Sequence, residues 1–221
     1  MGVPVIIIGE SGSGKTYSIK GLDPEKVGIF LCEKSRLPFR KSFSVFKVKN
    51  VTKDVNGSAT VIRQSAVIQS ILRNPKSPRK IYVIDDSQYI MANEFFDRAG
   101  EAGYQKFVDI GCNFRNLIHM INDELPDDVI VYFLHHPEAD ANTGKQKAKT
   151  IGKMLDEKLT LEGCFDIVLF ARTDGREHWF QTQSDGTNTA KSPEDMFPER
   201  IPNDLALVDS TIREYYGMEP I

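Results

Sequence analysis

Residues 9–16 read Gly-Glu-Ser-Gly-Ser-Gly-Lys-Thr, a complete G-x-x-x-x-G-K-[ST] string, and its chemistry is the holding of phosphate. Glycines let a backbone fold tightly enough for successive N–H groups to converge on phosphate oxygens. Gly9, Glu10, Ser11, Gly12, Ser13 and Gly14 are therefore the candidate cradle, with Tyr17 just beyond it. Lys15 is placed to reach the β- and γ-phosphates of a nucleotide, and the Thr16 hydroxyl to bind Mg²⁺. A helix beginning near Lys15 would add its positive N-terminal end.

Such a loop needs a carboxylate at the end of another buried strand, holding magnesium through water. Asp85, closing the apolar run 80–85, has that position. Asp86 follows it directly, where an acid can polarise the attacking water, although acids in this place also serve as helix caps. Glu33 competes for the general-base role. It ends a second apolar run, and its alternative is a solvated acid in the charged stretch of Glu33, Lys34 and Arg36.

Two histidines, His135 and His136, follow the apolar run 129–134. If that strand lies between those bearing Gly9 and Asp85, its tip faces the γ-phosphate and His135 can report whether the phosphate is present. The alternative is an ordinary pair of loop histidines. Lys145, Lys147 and Lys149 alternate, so an extended chain puts them on one face. They are either a solvated loop or a seat for an anion, meaning a neighbouring subunit's ATP phosphates or a nucleic-acid backbone.

The elements that must position these residues follow from hydrophobic patterning. The runs 3–8, 27–32, 80–85 and 129–134 are continuous and apolar, the mark of strands buried on both faces. Residues 43–48 alternate as an edge strand would. Residues 59–73, 91–122 (broken near 100–103), 151–161 and 203–216 carry helical spacing, and 137–144 reads as a mobile loop. Thr173-Asp174-Gly175-Arg176 is a hairpin turn between 165–172 and 177–182, and 184–192 is a polar loop. Trp179, Phe180, Tyr132, Phe95 and Phe96 are expected in the core. Together these predict an α/β fold in one domain over residues 1–221. Its central sheet is mainly parallel and flanked by helices, with a late antiparallel hairpin.

The net charge of -3 argues against a uniformly basic nucleic-acid coat but permits a local basic groove. Three scattered cysteines (Cys32, Cys112, Cys164) form no CxxC pair, so neither a disulfide framework nor a zinc site is expected. No apolar run reaches membrane-spanning length, and no basic leader precedes the first strand. A cytoplasmic setting is expected.

The phosphate loop, the stretch VIDDSQYIM (83–91), the strand ending in His135 and His136, and KAKTIGKMLDEKLTLEG (147–163) resemble a family of bacteriophage AAA-type P-loop ATPases. NTAKSPEDMF (188–197) and IPNDL (201–205) carry the same resemblance. Some of those proteins are described as Sak-type single-strand annealing ATPases, similar to the catalytic core of RecA-type recombinases. The resemblance implies a RecA-like core, ATP with Mg²⁺, single-stranded DNA as partner, and assembly with ATP at a subunit interface. Phage or host recombination proteins are further implied partners, and a phage protein would work in the host cytoplasm. Recombinases of this type have a glutamate similar to Glu33, and a Lys-x-Lys pair similar to Lys147 and Lys149 that reaches the neighbour's ATP. The sequence departs from them in lacking a separate N-terminal polymerisation domain and a recognisable DNA loop, so 137–149 and 87–103 stand as DNA candidates by position alone. Two other classes remain open: a small-molecule P-loop kinase, and a nucleotide-dependent assembly module without turnover.

Overall fold

The computed structural model describes residues 1–33, 36–55, 58–151 and 160–221. Its frame is an eight-stranded sheet built from β1 (Val3–Ile8), β2 (Val27–Leu31), β3 (Ser44–Lys47), β6 (Ile81–Asp85), β7 (Ile130–His135), β10 (Ile167–Thr173), β11 (His178–Gln181) and β12 (Arg200–Pro202). The order across the sheet is β12-β11-β10-β1-β7-β6-β2-β3. Strands β3 to β10 in that order run parallel, and β11 and β12 are added antiparallel. This is an α/β P-loop fold with a mainly parallel sheet, as the patterning predicts, and it is RecA-like, as the resemblance implies.

The four continuous apolar runs become the four central strands because both of their faces are covered. On one face Ile6, Ile8, Phe30, Ile84, Val131 and Phe133 pack against helices α1 (Gln64–Leu72), α2 (Tyr89–Asp97) and α3 (Gln105–Glu124). On the other, Val5, Ile7, Ile29, Val83, Tyr132 and Leu134 meet a 3-10 turn (Tyr17–Gly21) and helix α4 (Leu205–Tyr216). Asp204 caps α4 by accepting from the Ala206 N–H, and Gly217 ends it in the left-handed conformation at φ 66. Arg213, 2% exposed, binds Asp209 and donates to the carbonyls of Asp128 and Lys80, tying α4 to the strand ends. Among the described residues, no helix is long and apolar enough to cross a membrane.

Several expectations need correction. The helix expected from Lys15 is only the 3-10 turn Tyr17–Gly21. A Cβ on Gly21 would lie 2.3 Å from Asp204 Oδ1, so the last residue of this turn packs directly on the start of α4 with no room for a side chain. The helix expected over 59–73 begins at Gln64, because Ser58–Ile62 is strand β5, paired with β4 (Val51–Val55). Residues 137–144 are not simply a loop: β8 (Pro137–Ala139) pairs with β9 (Gln146–Ala148). Phe96 is 70% exposed and outside the core, while Trp179 is half-buried under the Arg200 guanidinium. The helix expected over 151–161, with Lys153, falls largely on residues 152–159, outside the described residues.

Candidate active site

Because β7 lies between β1 and β6, the parallel strands bring three tips together at one sheet edge: Gly9, His135 and Asp85. Backbone bonds lock the tips. The Gly9 N–H donates to the His135 carbonyl at 3.1 Å, the Ser87 N–H to Leu134 at 2.9 Å, and the Cys32 N–H to Asp85 at 3.4 Å. Gly9 must be glycine here, since a Cβ would sit 2.8 Å from the Ala171 carbonyl on β10.

Residues 10–17 wrap a cavity of about 340 Å³ whose remaining walls are Pro38, His136 and His178. Lys15 is 6% exposed and curls over the loop, its Nζ donating to the carbonyls of Gly9 at 2.5 Å and Glu10 at 3.0 Å. The Thr16 hydroxyl donates to Asp85 Oδ1 at 2.9 Å. A buried carboxylate and a hydroxyl side by side are hard oxygen donors, the type that suits Mg²⁺. The two residues expected to share the metal are thus neighbours, although 69 positions apart in sequence.

Asp86 is buried and has a left-handed backbone, φ 57, which turns the chain sharply after β6. One of its oxygens lies 3.3 Å from His136 Nε2. Glu33 follows the end of β2 and is exposed. It lines a separate cavity of about 280 Å³ with Cys32, Lys49, Asn50, Asn93, Phe96 and Asp97. Burial, with Asp85, Asp86 and Glu33 nearby, pushes the Cys32 thiol well above its usual range.

His135 is fully buried. Its Nε2 is 2.7 Å from the Lys149 carbonyl and its Nδ1 2.8 Å from the Ser87 hydroxyl. A carbonyl only accepts, so Nε2 carries the proton and Nδ1 is left to accept from Ser87. Burial lowers its pKa to about 4, the Lys149 bond opposing this and His136 and Lys15 adding to it. The imidazole is therefore neutral at pH 7. It joins the turn after β6 to the end of the β8–β9 hairpin.

That hairpin carries the alternating lysines. Lys147 stands across from Glu138 in the strand register, its Nζ 3.8 Å from Glu138 and 3.7 Å from Asp140. Glu138 and Asp140, the anions placed beside Lys147 here, belong to its own hairpin. Lys145 and Lys149 are exposed, and the Lys149 backbone is bonded to both His135 and His136.

Sequence reading missed His178 and Asn203. His178 Nδ1 lies 3.1 Å from the Ser13 carbonyl, and the Asn203 amide packs on Gly14. Neither carries a local signal, because each reaches the loop only through the register of the late antiparallel strands.

Comparison with curated proteins gives no match. A family model described as an AAA domain matches residues 1–193, a span that holds the phosphate loop, Asp85 and the β7 tip. The chain belongs to this AAA-domain family of P-loop ATPases.

Proposed function

We propose that the protein binds and hydrolyses Mg-ATP, and that it does so in concert with single-stranded DNA, as Sak-type phage annealing ATPases do. The observation that carries the nucleotide reading is the Thr16–Asp85 contact at 2.9 Å beside the cavity wrapped by residues 10–17. Magnesium, when bound, neutralises charge on the β- and γ-oxygens. Thr16 would hold the ion directly and Asp85 through water. Lys15 would exchange its two loop carbonyls for phosphate oxygens, which also removes a contact that closes the loop on itself.

For the base we favour Glu33. It is exposed to water two residues beyond Leu31, which pairs with Asp85, and would have to turn from its own cavity toward the one wrapped by residues 10–17, whereas Asp86 is buried with His136 on its oxygen. Glu33 would accept the proton of the attacking water, and Asp86 would orient His136 toward the phosphates. Glu33→Gln and Asp86→Asn, assayed for turnover with ATP binding intact, separate the two roles. If Asp86→Asn alone stops turnover, the assignment reverses.

The DNA reading rests on the resemblance and on one surface. Phe96 (70% exposed) and Tyr104 (68% exposed) end a chain of ring contacts through Phe95 and Phe107, with the Lys106 ammonium over the inner two rings. Exposed aromatic faces with a cation among them suit unstacked bases. In an assembly, Lys149, and Lys147 if it left Glu138 and Asp140, would reach a neighbour's phosphates.

The test is ATP turnover with and without single-stranded DNA, with Lys15→Ala as control. Stimulation by DNA that vanishes in the variant supports the whole reading. Lys15-dependent turnover indifferent to DNA would remove the DNA part and favour a small-molecule kinase or another ATPase. Tight binding without turnover would favour an assembly module.

A further inference from the structure

The antiparallel end of the sheet contacts the phosphate loop at one peptide. His178 on β11 approaches the Ser13 carbonyl through Nδ1, 3.1 Å away, and since a carbonyl can only accept, Nδ1–H is the donor. Asn203, in the turn between β12 and α4, covers the next residue. A Cβ on Gly14 would lie 2.1 Å from Asn203 Nδ2 and 3.0 Å from His178 Nδ1. The peptide between Ser13 and Gly14 is thus contacted by two side chains of the C-terminal part of the chain, one of them also a wall of the cavity.

A trans peptide is planar, and its C=O and N–H point in opposite directions. Fixing the Ser13 carbonyl toward His178, which is itself one wall of the cavity wrapped by residues 10–17, therefore fixes the direction of the Gly14 N–H as well, opposite to that carbonyl. The turn needs help to stay there. Gly14 has φ 93 and Gly12 φ 81, so glycine gives this stretch access to many other backbone states. Within the loop, the backbone bonds are Ser13 N–H to Glu10 at 3.2 Å and Ser18 N–H to Gly14 at 3.0 Å, and side chains add Lys15 to the Gly9 and Glu10 carbonyls and Ser18 to the Lys15 carbonyl; none of these engages the Ser13 carbonyl.

We infer that His178 and Asn203 are positioning residues of the nucleotide site: together they hold the Ser13–Gly14 peptide with the Gly14 N–H presented to a nucleotide phosphate. This rests on the reading of residues 9–16 as a nucleoside-triphosphate loop. It also makes the segment after residue 193, beyond the matched family span, part of the working site, since Asn203 lies there. Asp204, next in sequence, reinforces the placement by capping α4 and packing on Gly21 at the far end of the 3-10 turn.

The experiment measures Mg-ATP affinity by calorimetry and amide hydrogen exchange of residues 9–16 without nucleotide, for wild type, His178→Leu, His178→Asn and Asn203→Ala. The Asn amide nitrogen takes roughly the place of Nδ1 and can donate to Ser13. Expected are a weakening of ATP binding of about tenfold in His178→Leu and in Asn203→Ala, near-wild-type binding in His178→Asn, and faster exchange confined to the loop in the first two. Loss of general stability alone would leave the Asn variant as weak as the Leu variant, and that result overturns the donor role. Unchanged affinity and exchange in both His178→Leu and Asn203→Ala overturns the inference while leaving ATP binding intact. If wild type itself binds no ATP, the nucleotide reading fails, and loop exchange still decides whether the two side chains hold the peptide.

Discussion

Acid should destabilise this protein through one buried imidazole. His135 has no exposed surface and a pKa lowered to about 4, whereas in the unfolded chain it returns to the ordinary value of 6.5. The sign follows from proton counting. As pH falls below 6.5, the unfolded chain gains a proton at this position and the folded chain does not. The stability contributed by neutral His135 is therefore complete above 6.5 and is lost as pH falls toward 4. The slope is about 1.4 kcal/mol per pH unit, and the interval between the two values gives about 3 kcal/mol in total. Set against the 5–15 kcal/mol or so typical of a whole domain, that is a large share.

The variant that isolates this effect is His135→Gln. Its amide can still donate to the Lys149 carbonyl, and it cannot titrate. Urea unfolding followed by fluorescence of Trp179, the single tryptophan, would be run on both proteins at steps from pH 7 to pH 4.5. Shared carboxylate titrations cancel in the difference. Wild type should be the more stable protein at pH 7, and its advantage should shrink by about 1.4 kcal/mol per unit below 6.5. Parallel pH curves for the two proteins would refute the reasoning, because they would mean His135 takes up its proton without unfolding.

Three further outcomes are expected. Gly14→Ala places a Cβ at φ 93 against Asn203, a strain of about 1–3 kcal/mol, and ATP affinity should fall more than it does on removal of Asn203; calorimetry checks this. Asp85→Asn should weaken Mg²⁺ dependence of turnover about 10- to 100-fold while metal-free ATP binding persists, as read from magnesium titrations of the rate. Arg213→Met strands Asp209, which burial already pushes toward protonation, and should cost about 3–5 kcal/mol in urea unfolding; adding Asp209→Leu should recover much of it.

What could be read from sequence depends on where each constraint acts. The strands β1, β2, β6 and β7 were legible because burial on both faces writes itself into every residue of a run, as in the five buried apolar residues that precede His135 in β7. The hairpin β4–β5 was hidden behind a stronger pattern: Val61 and Ile62 extend the helical spacing of α1, and the Asn56-Gly57 dipeptide in the sequence was the signal passed over. The 3-10 turn after the loop was not legible at all. Its last residue, Gly21, packs on Asp204, 183 positions later.

The same division runs through the site. Lys15 and Thr16 could be named from the phosphate-loop string, and Gly9, Asp85 and His135 because each ends or directly follows a buried strand, and parallel strands deliver their C-terminal tips to one edge whatever their order. His178 and Asn203 could not, since an antiparallel strand presents opposite ends to that edge according to its register. Once β11 pairs with β10 through Thr173↔His178, and β12 with β11 through Phe180↔Ile201, those residues meet the phosphate loop at Ser13 and Gly14. On the proposed reading, the residues that would face phosphate are legible from the phosphate loop and the buried strands, whereas those that would hold the loop still come from the late strands, so substitutions there should alter nucleotide affinity without touching the motif.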